Sequence, residues 1–458
     1  MHLIGIGTVS LLAYIFTILI LNVVFKRKMA EAMLVSFFLL IAIGGVAGKG
    51  AMQLASEGLS YAFEQEVVYA SMAFVYMAYV MSRSGVVVRL VDILNSLLGR
   101  VRGGSAYVST IASALFGMIS GSGSGNASAV GSITIPWMKH TGWSDLRATA
   151  IVAGNAGLGI VFPPSSSMFL LLGMESVSSK ITSGSLYVGM MGVGLAVLVY
   201  RLFVAWCYVR RDGIRALPAD EIKPLARSLR EGGTSLLIFL GVLIPILVTM
   251  GPFAAYLTAS PGFGGDALGS ISLIFWIPIL ITLIALLEGR KHLPKSTREW
   301  FTFNAKAVGK FSEVGCLLFF AFAASQVLIK MGLEDEITRI FGILGGYSRY
   351  LVMLCVTLLT SLMVGPFTST ATTTAIGSLA FAVLTGIGLH PVAACAAFLV
   401  LASNEGCMPP NSAPIFIASG IAGLENPGSV FRPLLLHFAL PTIAIAVLIM
   451  MGVIPVFS

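Results

Sequence analysis

The chain has 458 residues, of which 57% are hydrophobic and only 10% carry a formal charge, and its mean hydropathy is +0.94. Soluble globular domains have about 25% charged residues, so these values exclude an ordinary soluble enzyme, a disordered chain and a disulfide-rich secreted scaffold. Apolar stretches of about 20 residues recur along the chain, which predicts an all-α polytopic membrane protein. The net charge of +8 is therefore examined first as a topology signal.

Most apolar segments predict regular membrane spans. In chain order they cover residues 3–25, 31–48, 66–82, 186–209, 233–250, 268–287, 312–331 and 433–456. The first is followed by the cluster Lys26-Arg27-Lys28, whereas a signal peptide has its basic residues in front, so we expect a retained first helix. Two irregular segments, 105–175 and 348–420, each predict a re-entrant hairpin and a broken spanning helix. The expected total is about ten full spans.

The basic residues predict which side each loop occupies. With the N-terminus outside, most of the 28 Lys and Arg residues fall in cytoplasmic loops. The exceptions outside are Lys49, Lys180, Lys330, Arg339 and Arg349, and Arg201 lies within a span. This bias fits the positive-inside rule. We therefore predict both termini outside, and no nucleic-acid partner.

The two irregular segments align with each other at an offset of 246 residues without a gap. The aligned pairs are Gly131-Ser132 with Gly377-Ser378, Pro163-Pro164 with Pro409-Pro410, and ISGSGSGNAS (119–128) with GPFTSTATTT (365–374). Because the expected topology inserts the hairpins from opposite sides, the chain is predicted to contain two inverted repeats, as many secondary transporters do.

The repeat divides the chain into predicted units. The first repeat covers residues 1–209, with hairpin 1 at about 105–138 and a broken helix at about 144–175. Residues 210–232 form a cytoplasmic connector. The second repeat covers residues 233–458, with hairpin 2 at about 348–386, a broken helix at about 391–420 and a last helix at about 433–456.

Each hairpin tip is polar and rich in residues that disfavour a lipid-facing helix. Such backbone is tolerated at membrane depth only where protein or a water-filled cavity satisfies it. Its carbonyls and hydroxyls suit a small hard cation, and the amide ends of the following helices suit an anion. A helix-packing seam of small residues is the alternative interpretation. Candidate cation ligands in the tips are Ser120, Gly121, Ser122, Ser124, Asn126, Gly365, Thr368, Thr370 and Thr372, and candidate substrate contacts are Ser124, Asn126, Ser369 and Thr370.

The Pro-Pro pairs predict that two spans break into half-helices, because proline removes an amide donor and clashes with the preceding turn. A plain kink is the alternative. Glu405 is an acid within a predicted span, so it is a functional candidate that could bind the cation, carry a proton or pair with a polar group. Candidate cation ligands at the breaks are Gly157, Gly159, Pro163, Asn404, Glu405 and Met408, and candidate substrate contacts are Ser165, Ser166, Asn411 and Ser412.

No phosphate loop, nucleophile elbow or metal-ligand spacing is present in the sequence, so an enzyme is not expected. The stretch SALFGMISGSGSGNASAVGSITIPWMKHTGW (113–143), with LVDILNSLLGRVRGG (90–104) before it and GIVFPPSSS (159–167) after it, resembles the large membrane subunit of TRAP transporters. This is the DctM-like family of the ion transporter superfamily. The resemblance covers nearly the whole chain in length and order.

The resemblance implies an elevator-type transporter of a bacterial or archaeal cytoplasmic (inner) membrane. It implies sodium-coupled import of a small organic acid, with a small four-helix membrane subunit and an extracytoplasmic substrate-binding protein as partners. By motif position, residues 120–126 with 157–166 would form one Na+ site, residues 365–372 with 404–411 the other, and substrate would lie between the tips. No cofactor other than the coupling ion is implied. A free-standing sodium- or proton-coupled carrier and a non-transporting structural subunit remain alternatives.

Overall fold

The computed structural model describes residues 5–218, 220–249, 251–259, 272–333, 335–336, 339, 348–365, 367–408 and 412–457. Within these ranges all regular structure is helical, as the composition predicts. The first half contains α1 (Ile6–Leu19), α2 (Met29–Val46), α3 (Ala51–Glu64), α4 (Glu66–Arg83), α5 (Val86–Leu98), α6 (Gly104–Ser120), α7 (Gly123–His140), α8 (Asp145–Asn155), α9 (Ser166–Leu172), α10 (Glu175–Ser178) and α11 (Ser183–Asp212).

In the second half, long helices again alternate with short interruptions. Its helices are α12 (Leu225–Gly232), α13 (Leu240–Thr249), α14 (Gly251–Ala259), α15 (Leu273–Gly289), α16 (Thr297–Lys330), α17 (Arg349–Val364), α18 (Ser369–Gly386), α19 (Pro391–Ala402), α20 (Ala413–Ala422), α21 (Phe431–Leu434) and α22 (Leu440–Met450). Short 3₁₀ turns at Leu158–Val161, Gly233–Phe239, Ser403–Gly406 and Pro427–Val430, and π turns at Ile20–Val24 and Leu435–Ala439, join or extend them.

Six helices in the described part of the chain are long and apolar enough to cross a membrane, or seven if the bent pair α4–α5 counts as one span. They are Met29–Val46, Asp145–Leu172, Ser183–Asp212, Leu225–Thr249, Thr297–Lys330 and Pro427–Met450. The sequence predicts about ten spans. The difference is one of length, because the other apolar segments form helices of 10–17 residues, shorter than the ~20 residues that cross the hydrocarbon core.

Helix α5 is an element that hydropathy does not identify as a span. It follows α4 after a bend of 64°, and Gly85 at the bend has a φ of +74°, a left-handed conformation that favours glycine. Its Val86, Val87, Val91 and Ile93 are buried, while the opposite face is more accessible. The helix is therefore amphipathic, and it packs against α6 on one side and α12 on the other.

The helices pack into two groups. In the scaffold group, α16 packs along α2, α3 and α4, and α15 packs between α4 and α13. In the core group, α6 packs on α7, α20 packs on α7 and α8, and α19 packs on α18 and α22. Contacts between the groups are made by α5 with α6, α16 with α18, and α4 with α6 and α9.

Polar contacts connect the end of α11 and the segment after it to neighbouring helices. Asp212, the last residue of α11, pairs with Arg147 at 3.1 Å, and Lys223 pairs with Asp92 at 2.8 Å. Glu221 lies within hydrogen-bond distance of His140, at 3.0 Å. Arg147 and Lys223 are both among the residues predicted on the cytoplasmic side. Lys330, predicted outside, pairs with Glu57 at 3.0 Å at the far end of α16.

The helix bounds follow the 246-residue offset seen in the sequence. Both bounds of α7 and α18 differ by 246 residues. Helices α8 and α19 likewise begin 246 residues apart, and each is followed by a short 3₁₀ turn. The hairpin arms and the broken helices therefore recur in the same order with nearly the same lengths.

The two 3₁₀ turns, here named break 1 (Leu158–Val161) and break 2 (Ser403–Gly406), lie against each other at the centre of the core group. A Cβ atom added at Gly157 would collide with the Ser403 carbonyl oxygen, and one at Gly406 would collide with the Ala153 carbonyl oxygen. A Cβ at Gly159 would collide with the backbone of Gly117 in α6. The backbones thus approach as closely as only glycine permits.

A buried arginine lies behind break 2. Arg201 of α11 is 1% exposed, and one of its terminal nitrogens donates to Thr442 Oγ1 at 2.9 Å. The other lies 3.7 Å from Cys407 Sγ, and the guanidinium stacks 4.9 Å from the Phe438 ring centroid. No carboxylate among the described residues forms an ion pair with it. Its Nε has no hydrogen-bond partner in the described structure.

We predict that Gly157→Ala lowers the apparent melting temperature of the detergent-purified protein, because overpacking of this kind costs about 1–3 kcal/mol. Gly420→Ala is the matched control, since no atom lies within 4 Å of the added Cβ. That helical position gains about 0.5–1 kcal/mol from alanine. Equal melting temperatures for the two variants would contradict the close contact between the breaks.

We predict that Arg201→Met leaves the melting temperature unchanged or raises it. A buried charge without a carboxylate pays a desolvation cost that an apolar side chain of similar volume avoids. Thr442 and Cys407 each keep a second hydrogen bond, to Phe438 and Gly154 respectively. Arg201→Ala is the comparison, expected to destabilise by about 2–5 kcal/mol through the cavity it leaves. A melting temperature for the Met variant as low as that of the Ala variant would contradict this account.

Candidate functional site

Both hairpin tips line one cavity between the core and scaffold groups. The cavity has a volume of about 440 Å³, within the range of small-molecule sites. Its scaffold wall comes from α4 and α16 and includes Phe74, Tyr79, Lys310 and Glu313. Its core wall consists of Ser120, Gly121, Ser122, Ser124, Gly125, Ser166, Thr368, Thr370 and Glu405.

The tips have the same local construction. Ser122 caps α7 by accepting a hydrogen bond from the Gly125 amide at 3.1 Å, and Thr368 caps α18 by accepting one from the Ala371 amide at 3.2 Å. These two caps are 246 residues apart. A hydroxyl cap satisfies an amide that the first helical turn leaves free. The second helix of each hairpin therefore begins directly after its cap residue. Gly121 makes the turn in tip 1, with a φ of +60°.

Glu405 of break 2 lies where the N-termini of α7 and α18 meet. It is 4% exposed, and its Oε2 accepts hydrogen bonds from the Ser369 amide at 3.1 Å and the Ser369 hydroxyl at 2.7 Å. A Cβ added at Gly123, the first residue of α7, would lie 2.9 Å from Oε1. Two positive helix ends therefore face one carboxylate, an arrangement that stabilises its negative charge.

Further hydrogen bonds hold the first tip beside break 1 and connect break 2 to the start of α20. Ser166, at the start of α9, donates to the Gly121 carbonyl at 3.3 Å. Asn126 Nδ2 donates to the carbonyls of Ser113 and Ala156, both at 2.9 Å, and so joins the two arms of hairpin 1 to the end of α8. Ser412 donates to the backbone carbonyl of Glu405.

At the cavity wall and behind it, several buried side-chain oxygens have no hydrogen-bond partner in the described structure. They are Ser120 Oγ, Asn126 Oδ1, Thr372 Oγ1 and Asn404 Oδ1. Asn126 and Thr372 occupy matching positions of the two repeats, and both are 0% exposed. An unpaired buried oxygen costs free energy, and a bound Na+ ion would satisfy it. This donor set of neutral oxygens near broken helices fits the ligand chemistry of Na+ in transporters.

The remaining predicted site residues lie outside the cavity wall. Gly157 and Gly159 occupy the close backbone contacts of break 1, and Pro163 follows that break. Ser165 caps α9 and donates to the Ile160 carbonyl at 2.9 Å. Gly365 ends α17 and Met408 follows break 2. Asn411, with Pro409-Pro410, lies outside the described residues.

The predicted substrate contacts divide accordingly. Ser124, Thr370 and Ser166 line the cavity. Ser369 bonds to Glu405, Asn126 bonds to backbone carbonyls, and Ser165 and Ser412 cap or tie the breaks. We therefore treat the first three as the residues able to touch a substrate in this conformation.

Several functional candidates are missing from the sequence prediction. Lys310 lines the cavity because α16 begins at Thr297, well before the predicted span at 312–331, and Glu313, near the start of that span, lines it as well. Asn155 is buried, with Nδ2 donating to Thr110 Oγ1 at 2.9 Å and Oδ1 unpaired among the described residues. The usable signal for Asn155, as for Arg201, is a polar residue within an apolar helix.

No group of three or more His, Cys, Asp or Glu side chains suited to a metal ion occurs in the described ranges. The polar part of the cavity wall combines hydroxyl groups with Lys310, Glu313 and the buried carboxylate of Glu405.

Comparisons with known proteins agree with this architecture. The sequence model described as "Tripartite ATP-independent periplasmic transporter, DctM component" matches residues 9–457. The crystal structure of the Alcanivorax borkumensis YdaH transporter is similar in fold, with a TM-score of 0.60 at 16% identity, over 87% of each chain.

Several similar proteins are large permease proteins of TRAP transporters. The chain is 26% identical over 213 residues to the ectoine permease TeaC of Halomonas elongata, covering 46% of this chain and 47% of that protein. It is 28% identical over 184 residues to the C4-dicarboxylate permease DctM of Pseudomonas aeruginosa, covering 40% and 42%. For the sialic acid permease SiaM of Vibrio cholerae the values are 24% over 283 residues, covering 60% and 62%.

Each of these alignments thus spans less than two thirds of the relative's own length. The relatives are transporter subunits and not enzymes, as the sequence predicts. The match over residues 9–457 confirms the resemblance drawn from the hairpin and Pro-Pro motifs. The chain belongs to the DctM component family of the tripartite ATP-independent periplasmic transporters.

Proposed function

We propose that this chain is the membrane subunit of a sodium-coupled secondary transporter that imports a small organic acid by an elevator motion. The observation that carries the proposal is that both hairpin tips and Glu405 line a single cavity at the boundary between two helix groups. A substrate bound there touches the core through the tips and the scaffold through α4 and α16. Movement of the core would carry the substrate away from the scaffold wall.

Sodium coupling is supported by the unpaired oxygens behind the tips. Asn126 belongs to the predicted site of the first repeat, and Thr372 and Asn404 to that of the second. A cation bound to either set would stabilise the contact between a tip and a break. Substrate binding between the tips and ion binding behind them would then favour the same conformation, which is the basis of coupling.

The residues next to the cavity support an inward-facing state. Glu313 on its scaffold wall lies 3.8 Å from Lys28, and Lys310 is one turn away on α16. Both lysines fall on the predicted cytoplasmic side. A second cavity of about 520 Å³ lies farther along α16, lined by Glu175, Ser325, Thr374 and Ser378 among others. It offers the path that the core would open in the outward-facing state.

The partners are proposed from the family. A small four-helix membrane subunit would pack on the scaffold, and an extracytoplasmic substrate-binding protein would deliver the substrate. The names of the relatives specify ectoine, C4-dicarboxylates and sialic acid for those proteins, which supports a small carboxylate-bearing molecule here. A free-standing carrier without a binding protein is the second candidate.

Uptake into proteoliposomes tests the proposal. We expect uptake of at least one of radiolabelled ectoine, succinate or sialic acid that requires an inward sodium gradient. It should also require the co-purified small subunit and binding protein. Uptake without those partners would favour the free-standing carrier. Absence of uptake with every partner and gradient would favour a non-transporting subunit.

Thr372→Val tests the second sodium site. The substitution keeps the shape of the side chain and removes an oxygen that has no hydrogen bond in the described structure, so stability without sodium should not fall. If the oxygen is a ligand, the sodium concentration that half-maximally stabilises the protein should rise about tenfold. Melting temperature against sodium concentration, at constant ionic strength with potassium, measures this.

Thr385→Val is the matched control for that experiment. It lies in the same helix, and its hydroxyl is bonded to the Phe381 carbonyl at 2.9 Å, away from the breaks. Its sodium dependence should equal that of the wild-type protein. Equal sodium dependence for Thr372→Val would remove Thr372 from the site.

A further inference from the structure

Glu405 is the most buried of the ionisable side chains on the cavity wall that form part of an ion pair or accept hydrogen bonds. The wall carries one basic side chain, Lys310, and two carboxylates, Glu313 and Glu405, within the part of the chain that the structure describes. Glu313 is 44% exposed and is already 3.8 Å from Lys28. Glu405 is 4% exposed, and no Lys or Arg among the described residues pairs with it. Its field in the cavity is therefore the least screened of the three.

Glu405 also uses the donors that a substrate carboxylate would need. Helix N-termini and hydroxyls are the groups that bind anions in sites without a basic side chain. In this cavity the Ser369 amide and hydroxyl both donate to Glu405 Oε2, and the start of α7 faces Oε1. An incoming carboxylate would have to displace Glu405 from these donors and would then lie beside it. Two like charges at that distance repel strongly.

A substrate with a cationic group meets the opposite situation. An ammonium or other positive group between the tips would gain the attraction of Glu405 without competing for the Ser369 donors. Ser122, Ser124, Thr368 and Thr370 would supply hydroxyl acceptors around it. A carboxylate at the other end of such a molecule would lie away from Glu405, toward the wall that carries Lys310.

We propose that the cavity selects zwitterionic small molecules over dianions, with Glu405 as the specificity-determining residue that receives the positive group. This inference rests on the proposed transport function and names the class of substrate. It separates the chain from permeases whose substrates carry only negative charge. It assigns Lys310 to the negative end of the same molecule.

The sign of the electrostatic potential in the cavity is measured with the Ser124→Cys variant. In its background Cys207, Cys316 and Cys355, which are not buried, are changed to serine. The probes are methanethiosulfonate reagents of similar size, one with a trimethylammonium group and one with a sulfonate. In sodium-free potassium buffer, the ratio of cationic to anionic modification rates should fall about tenfold or more when Glu405→Gln is added. An unchanged ratio would overturn the proposal.

Glu313→Gln is the matched control for that ratio, because it removes a carboxylate from the same cavity that is half-exposed and next to Lys28. The logarithm of the ratio should change by less than half as much as it changes for Glu405→Gln. A larger effect for Glu313 would assign the field to the scaffold wall and contradict the role of Glu405.

Ligand class is measured by protection of the same cysteine from a neutral methanethiosulfonate. Glycine betaine and succinate are the probes, since they are of comparable size and differ in charge. Betaine should slow labelling at a concentration at least about tenfold lower than succinate, and Glu405→Gln should abolish or reverse that order. Equal protection by the two probes, or better protection by succinate in the Glu405 protein, would overturn the inference.

These outcomes are distinguishable from failure of the proposed function. Sodium-driven uptake of succinate in preference to ectoine would keep the transport function and reject the zwitterion selectivity. Absence of all uptake would reject the transport function, while the labelling ratio would still report the charge of the cavity.

Discussion

The contact between the two breaks is the constraint on which the site depends. Helices α8 and α19 run toward each other from separate repeats, and both end where their backbones come too close for any side chain. Gly157 and Gly406 make this possible, since each lies against a carbonyl of the other broken helix. Because the breaks are fixed to each other, a tip that rests on one of them has a fixed distance to the other.

The two tips are held against the breaks by different chemical groups. Tip 1 is attached to break 1 by Asn126 and Ser166, so its position follows from neutral hydrogen bonds. Tip 2 is attached to break 2 by the bonds between Ser369 and Glu405, so its position depends on a carboxylate. The two halves thus have matching helices and unlike chemistry. Because of this asymmetry, the carboxylate on the core wall of the cavity comes from the second half.

Much of the core could be predicted from the sequence, because its pattern is local. The Gly-Ser and Thr-rich tips, the Pro-Pro pairs and the 246-residue offset all lie within short windows, and α7 and α18 have the matching bounds that the offset requires. Helix propensity and proline sterics act over a few residues. The helices Gly104–Ser120 and Arg349–Val364 begin within one residue of the starts of the two predicted hairpin segments, 105 and 348.

The scaffold side of the site could not be predicted in this way. Lys310 reaches the cavity because α16 continues for 34 residues, and hydropathy assigns it to a loop. Glu313 lies at the start of the predicted span at 312–331, but hydropathy does not show that it faces a cavity. Helix α5 is amphipathic and bent from α4, so a search for uniform apolar spans misses it. Which buried oxygens lack partners depends on contacts between elements far apart in the chain. No periodicity in the sequence encodes those contacts.

The positions of Arg201 and Glu405 bear on how the membrane voltage acts on the protein. Arg201 contacts Cys407 directly after break 2, and Glu405 belongs to break 2, so both lie within the core group. Moving a unit charge through the membrane field changes the energy by about 2.3 kcal/mol per 100 mV. An opposite pair that travels together contributes nothing to that work. If the core moves as proposed, this pair adds no work against the voltage, whatever the ions and the cargo contribute.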